Sequence, residues 1–294
     1  MQLSDWLASN IKLLDTAGDP TSRLDLLVLL EDATGKDRGW LLANPQLELK
    51  DAVAQCGLTN LAGLNRMVRR RAKHEPLAYI RSKSEFYRRE FYIDRRVLEP
   101  RPESETMIDL LKKYNSVDKN FQRKMTVVDV GCGSGALGIT AVKEIADCHV
   151  IAIDIDPGCL EVTNINSAKH GVSLEVLKGN LLSAIHDQGT RPTETVYILL
   201  CNLPYVPDDF QINDAALLEP RTAIFGGPDG IDIYRELFDQ AKDFSPTPRL
   251  IMTESLPPQH EALTSVARAA GFKLLETDDF IQVFSSSEPF PARP

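Results

Sequence analysis

Two short runs in this chain join residue types that do chemistry to apolar segments that could aim them. Asn202-Leu203-Pro204-Tyr205 directly follows Val196-Tyr197-Ile198-Leu199-Leu200-Cys201, and Gly131-Cys132-Gly133-Ser134-Gly135 directly follows Met125-Thr126-Val127-Val128-Asp129-Val130. A planar amide or exocyclic amine nitrogen is a weak nucleophile because its lone pair is delocalised. A catalyst must therefore fix both N–H groups and let the nitrogen pyramidalise toward an electrophile. The side-chain oxygen of Asn202 and the backbone carbonyl of Leu203 supply two acceptors for those N–H bonds. Pro204 stiffens the loop, and the Tyr205 ring can pack on a flat acceptor group, so the tetrapeptide reads as an orienting clamp.

The glycine run supplies the other half of a site. Glycines 131, 133 and 135 let the backbone turn tightly and approach a ligand, and a helix beginning there presents free N–H groups to it. A third apolar run, His149 to Ile153, ends in Asp154, placed to accept from ribose hydroxyls. Gly133-Ser-Gly135-Ala-Leu-Gly138 also satisfies the dinucleotide fingerprint, so a nicotinamide oxidoreductase stays open from the glycines alone. Asp129 favours a different cofactor: an acid two residues before the first glycine suits a cationic aminoacyl group and sits poorly beside a pyrophosphate. That points to S-adenosylmethionine as methyl donor, with S-adenosylhomocysteine as product.

The composition is that of a soluble globular protein: 294 residues, 43% hydrophobic and 26% charged. With neither a signal-like start nor an apolar run of membrane-spanning length, the expected compartment is the cytoplasm. Five scattered cysteines fit reduced thiols, and neither they nor the five histidines show metal-ligand spacing, so no metal is expected. The net charge is −9, yet residues 66 to 101 hold twelve Lys or Arg against five acids. Such a stretch reads equally as a surface that steers an acidic partner or as a solvated helix face with a charged hairpin.

Residues 1 to about 80 carry only helical patterns, with Ser4 or Asp5 as an N-cap, a stop at Asp19-Pro20-Thr21-Ser22 and Gly35 ending the second helix; four to five helices are expected. Glu85 to Ile93 reads as a β-hairpin. After Pro100 and Pro102 come a helix near 103 to 114 and strands near 126–130, 149–154, 174–177, 196–201, 249–253, 273–276 and 280–284, alternating with helices. That alternation predicts an α/β fold with a Rossmann-like, doubly wound, mostly parallel seven-stranded sheet. The expected division is a helical domain over 1–82, a hairpin linker over 83–100 and a cofactor-binding catalytic domain over 101–288, with a loose tail from Ser285.

In order and spacing, six segments resemble the release-factor glutamine methyltransferases: Arg71-Ala-Lys-His74-Glu75-Pro76-Leu-Ala-Tyr-Ile80, Glu85-Phe86-Tyr87, Glu99-Pro100-Arg101-Pro102-Glu103-Ser104-Glu105, the glycine run from Gly131 to Gly135, Asn202 to Tyr205, and Leu218-Glu219-Pro220-Arg221 through Gly226-Gly227-Pro-Asp229-Gly230. The resemblance spans nearly the whole chain. It implies a class I methyltransferase domain and, as methyl acceptor, the glutamine of a release factor's Gly-Gly-Gln loop. The protein would be a monomer, with nucleic acid the lesser expectation as partner. It further implies that Asp129, Gly131, Gly133, Gly135, Asp154, Ile155, Asn180, Leu181 and Asn202 hold the cofactor. Asn202, Tyr205, Arg101 and Glu103 would meet the substrate, or Arg101, Glu103 and Glu105 would cap the next helix. Phe86 is expected to fill the domain junction rather than touch adenosine, and Glu219 and Arg221 to pair with each other.

Two positions depart from the family. Leu203 stands where a proline is usual, a spelling shared with rRNA adenine dimethyltransferases, which keeps N6-adenine methylation open as the alternative. Asn180 stands where an acid is common, which predicts weaker cofactor binding through loss of charge assistance. A partner-binding protein that kept the fold and lost activity would bind the cofactor without turnover.

Overall fold

The computed structural model describes residues 1–57, 59–117, 125–186 and 195–286. The tail expected to be loose from Ser285 is not so at that residue, which is buried as the last of a strand, and from 287 on it lies outside the described residues. The chain forms two compact units, Met1–Ser82 with Asn213–Leu218, and Lys83–Ile212 with the residues from Glu219 onward.

The first unit is helical: Leu3–Thr16, Ser22–Thr34, Arg38–Ala43, Leu49–Cys56, Leu61–Arg71 and Leu77–Arg81. Its core gathers Trp6, Leu14, Leu26, Leu29, Leu30 and Leu41, and the Trp6 indole N–H donates to Asn65 at 2.7 Å. The first helix does not use Ser4 or Asp5 as its cap. Gln2 bridges to Glu48 and the Leu3 N–H donates to Leu47, so the backbone pairing, not a side chain, sets where the helix starts. Gly35 does end the second helix, at φ 66°.

The second unit opens with a hairpin, β1 (Lys83–Phe86) and β2 (Arg89–Tyr92). A 3-10 turn at Pro102–Ser104 runs into a helix at Glu105–Val117, somewhat longer than the sequence suggests. Then follow β3 (Met125–Val130), β4 (His149–Asp154), β5 (Glu175–Lys178), β6 (Val196–Cys201), β7 (Leu250–Glu254), β8 (Lys273–Asp278) and β9 (Ile281–Ser285). They form one sheet in the order β5-β4-β3-β6-β7-β9-β8, parallel except where β9 meets β7 and β8. Every residue of β3, β7 and β9 is buried, as expected of strands covered on both faces by helices.

The chain order reverses direction between β3 and β6, and there the register is flush: Val130 lies beside both Ile153 and Cys201. Gly131, Asp154 and Asn202 therefore emerge together at one sheet edge, the crevice where open α/β sheets bind ligands.

The basic stretch is neutralised within each unit. Arg70 pairs with Glu75, Arg71 with Asp19 and Asp25, Arg81 with Asp32, Lys83 with Glu90, Arg89 with Glu144, Arg96 with Asp94 and Arg101 with Glu219. These pairs engage seven of its twelve cations, those of Arg71, Arg81, Arg89 and Arg101 reaching acids distant in sequence, and the structure favours a charged, partly balanced surface over a steering patch.

Candidate active site

A cavity of about 410 Å³ sits at the reversal, within the second unit. Its walls include Asp129 in β3 with Gly131 and Gly133 just past it, Asp154 ending β4 with Ile155 beyond, Asn180 and Leu181 after β5, and Asn202, Leu203 and Pro204 after β6. Phe86 from the hairpin also lines it, so this ring faces the cavity rather than only filling space elsewhere.

Asp129 is 1% exposed, and its Oδ2 accepts the Gly138 N–H at 2.8 Å across the glycine turn. Burial pushes its carboxyl up to about 7, against that hydrogen bond and aided by the charge of Asp154. Asp154 accepts from the Gly133 N–H and the Asp156 N–H, each at 2.9 Å, and burial raises its pKa as well. Two desolvated acids facing one cavity favour a cationic group there.

Asn180 gives its Nδ2 to Glu236 at 2.5 Å, which leaves its amide oxygen as the acceptor for a ligand edge. Ile155, 64% exposed, offers an apolar face at the cavity wall. Gly135 is not a lining residue. A Cβ there would lie 2.9 Å from Thr163 Cγ2 and its φ is +77°, so helix packing and the start of the Ala136–Glu144 helix require this glycine.

On the acceptor side, the loop after β6 is gripped from behind. The buried Tyr234 hydroxyl accepts from the Leu203 N–H at 3.3 Å and the Glu254 N–H at 3.2 Å, and lies within donating distance of the Cys201 and Glu254 carbonyls. A proline at 203 has no N–H to give that hydroxyl, and the Leu203 side chain fills the space over Gly131, where a Cβ would lie 2.8 Å from Leu203 Cδ2. The loop is thus held by a backbone bond that a proline could not make and by packing of the leucine side chain. Gln259 Nε2 donates to the Tyr205 carbonyl at 2.7 Å and the Asp229 carbonyl at 2.8 Å, tying the Gly-Gly-Pro-Asp-Gly segment to the clamp. At Gly230, φ is +77° and a Cβ would stand 2.1 Å from the Tyr205 carbonyl oxygen, so only glycine fits.

The polar side chains join in one chain of bonds. Asn202 Nδ2 donates to Ser104 Oγ at 2.8 Å, Ser104 Oγ donates to Glu254 at 2.5 Å, and the Tyr205 hydroxyl donates to the other Glu254 oxygen at 3.0 Å. Ser104, Glu254, Tyr234 and Gln259 were not singled out by sequence. The available signal was Glu254 itself, a lone acid ending an otherwise uncharged strand. Arg101 and Glu103 do not line the cavity; Arg101 pairs with the buried Glu219. That corrects the expected Glu219–Arg221 pair: the Arg221 guanidinium instead stacks on Phe225, 4.3 Å from the ring centre. Glu105 accepts the Tyr87 N–H at 2.7 Å, securing the hairpin turn.

Among the described residues no cluster of three or more His, Cys, Asp or Glu could hold a metal ion, and no helix is long and apolar enough to cross a membrane.

Residues 5–81 match the PrmC N-terminal domain and residues 107–207 the Methyltransferase small domain. A release factor glutamine methyltransferase of Koribacter versatilis is 32% identical over 82% of this chain and 81% of its own length. That of Bacillus subtilis is 33% identical over 80% and 77%. The chain belongs to the release factor glutamine methyltransferases. Members of this family need not share sequence with everything that shares their fold: the hMettl16 catalytic domain, solved with MAT2A 3'UTR hairpin 1, aligns over 79% of this chain and 83% of its own at TM-score 0.51 but only 11% identity. The family is a methyltransferase family, which removes the nicotinamide oxidoreductase left open by the glycines.

Proposed function

We propose that the protein transfers the methyl group of S-adenosylmethionine to the side-chain amide nitrogen of the glutamine in the Gly-Gly-Gln motif of peptide chain release factors, leaving S-adenosylhomocysteine. The observation that carries this reading is the Asn202 amide, bordering a cavity with two desolvated acids and anchored through its nitrogen so that its oxygen is the group left to accept.

The cavity residues fit that donor. Asp129 suits an ammonium, Asp154 and the glycine turn suit a ribose, and Asn180, Ile155 and Leu181 suit a heteroaromatic edge and face. When bound, S-adenosylmethionine supplies an electrophilic methyl carbon on a sulfonium. Asn202 Oδ1 and the Leu203 carbonyl accept the two N–H bonds of the acceptor amide and hold its nitrogen for in-line attack, while Tyr205 supports the flat group. The nitrogen turns acidic as its bond to carbon forms, so its excess proton leaves along one of those bonds without a strong base.

The helical domain over 1–82 and the hairpin linker over 83–100 would recognise the release factor, beside the catalytic domain over 101–288. Arg101 and Glu103 would act by shaping the acceptor entrance. We place the protein in the cytoplasm, where its five free cysteines would stay reduced, and expect it to work as a monomer.

The test is transfer of labelled methyl from S-adenosylmethionine to intact release factor, to the factor with its Gly-Gly-Gln glutamine replaced, and to rRNA in parallel. Label on the intact factor alone is expected. Label on rRNA alone would assign the protein to N6-adenine methylation instead, and donor binding without label on any substrate would make it a partner-binding protein.

A further inference from the structure

Glu254 ends β7 with no exposed surface, and the reaction as described above gives it nothing to do. Its two oxygens receive hydroxyl hydrogens from Ser104 and Tyr205. We propose that Glu254 is a positioning residue that sets the direction of the Asn202 amide, and with it which atom of Asn202 meets the methyl acceptor. The proposal rests on the functional reading above.

The argument is a count of hydrogens. An ionised carboxylate only accepts, and a serine hydroxyl carries a single hydrogen. Once Ser104 gives that hydrogen to Glu254, its oxygen can only accept from Asn202. The Asn202 end facing Ser104 must then be the NH₂ group, as found at 2.8 Å, and the carbonyl end turns the other way. Protonated Glu254 reverses the order. Its own O–H can donate to Ser104, Ser104 can then donate to the Asn202 oxygen, and the NH₂ group would be left facing an acceptor amide that needs a hydrogen-bond acceptor. The charge adds polarisation: an anion at the end of the chain makes Ser104 a stronger acceptor and draws more negative charge onto Asn202 Oδ1.

The charged and titratable groups acting on Glu254 are Tyr205, Glu103 and Arg101, with the buried Tyr234 hydroxyl held on its backbone. Burial, opposed by the Ser104 and Tyr205 hydrogen bonds, lifts its carboxyl to about 7. The direction of the Asn202 amide would therefore respond to protonation near neutral pH.

The test uses E254Q and S104A in the full-length protein, with release factor as acceptor at saturating S-adenosylmethionine. In E254Q an amide must give a hydrogen to one of the two hydroxyls, which scrambles the chain at almost constant shape. Expected results are kcat lower by about tenfold or more in each variant, as for loss of other residues that orient a reacting group. Calorimetric affinity for S-adenosylmethionine should stay within about twofold, and the double variant should be no slower than the slower single one. The wild-type kcat should also fall on the acid side of its pH profile, and that limb should vanish in E254Q. The S104A variant keeps the test open should E254Q fail to fold. A kcat within twofold of wild type in either variant overturns the proposal. So do fully additive losses or a matching loss of donor affinity, which mark a merely structural role. If the wild-type protein labels no release factor, the functional reading falls and this proposal with it; activity in the wild type with unaffected variants sinks this proposal alone.

Discussion

Asn202 illustrates how little of a residue's role lies in the residue. Its amide has two polar ends, and its neighbours at Ser104 and Glu254 decide which one is spent on the protein. Truncation in Asn202→Ala should therefore lower kcat by about a hundredfold, in the range seen when one preorganised hydrogen-bonding group is removed, while calorimetric donor affinity stays nearly unchanged. Normal turnover in that variant would end the clamp interpretation. Asp129 makes the opposite prediction, for binding rather than turnover. Its carboxyl, raised by burial to about 7, must be ionised to meet a cation, so protonation competes with the donor. The Kd for S-adenosylmethionine should rise as pH falls below about 7, by up to tenfold per unit, and calorimetry in buffers of different ionisation enthalpy should detect proton release. A Kd flat from about pH 5 to 8 would place the donor's charge elsewhere.

At the scale of elements, the strand-end loops were legible because their chemistry and the strands that aim them are adjacent in the chain. Gly131, Asp154 and Asn202 each follow an apolar run, and parallel pairing brings the three runs into register. Ser104 and Glu254 were not legible. They meet across 150 residues, and neither periodicity nor local spacing encodes a contact between a 3-10 turn and the end of a distant strand. The contacts of the Gly-Gly-Pro-Asp-Gly segment were not legible either, although the segment itself carries part of the family resemblance. Its purpose shows in the structure, where it lies against the carbonyls of Pro204 and Tyr205. Gly230→Ala should accordingly push on the Tyr205 carbonyl and carry a left-handed backbone cost of about 1–3 kcal/mol. The expected signature is a fall in kcat/KM larger than the fall in denaturation midpoint implies, because the strain lands on the catalytic loop. Unchanged kinetics would show that the loop absorbs the added carbon without moving.

For the whole molecule, three buried carboxyls share one thermodynamic direction. Asp129, Glu219 and Glu254 are each lifted to about 7 chiefly by burial. An unfolded chain would titrate them near 4, so between about 4 and 7 the folded protein holds more protons. Their contribution to stability is then fully present below about 4 and lost as pH rises through about 7. Carboxylates held low by partners, such as Asp94 at about 2, lose their contribution only in acid and leave that window untouched. The melting temperature of the ligand-free protein should fall from about pH 5 to about 8, and saturating donor should recover part of the loss by compensating Asp129. A melting temperature that climbs across that range would mean these acids are less buried than the structure has them.

The Tyr234 hydroxyl, finally, belongs to a helix, Asp232–Asp243, yet it closes the ends of two strands. The N–H groups of Leu203 and Glu254 share that single oxygen, so neither can reach solvent until the helix gives up its grip. In the language of hydrogen exchange, both amides would trade protons for deuterons through one common opening. The clamp and the acid that orients it are thereby one cooperative unit, and a motion that frees the acceptor loop is also a motion of the helix behind it.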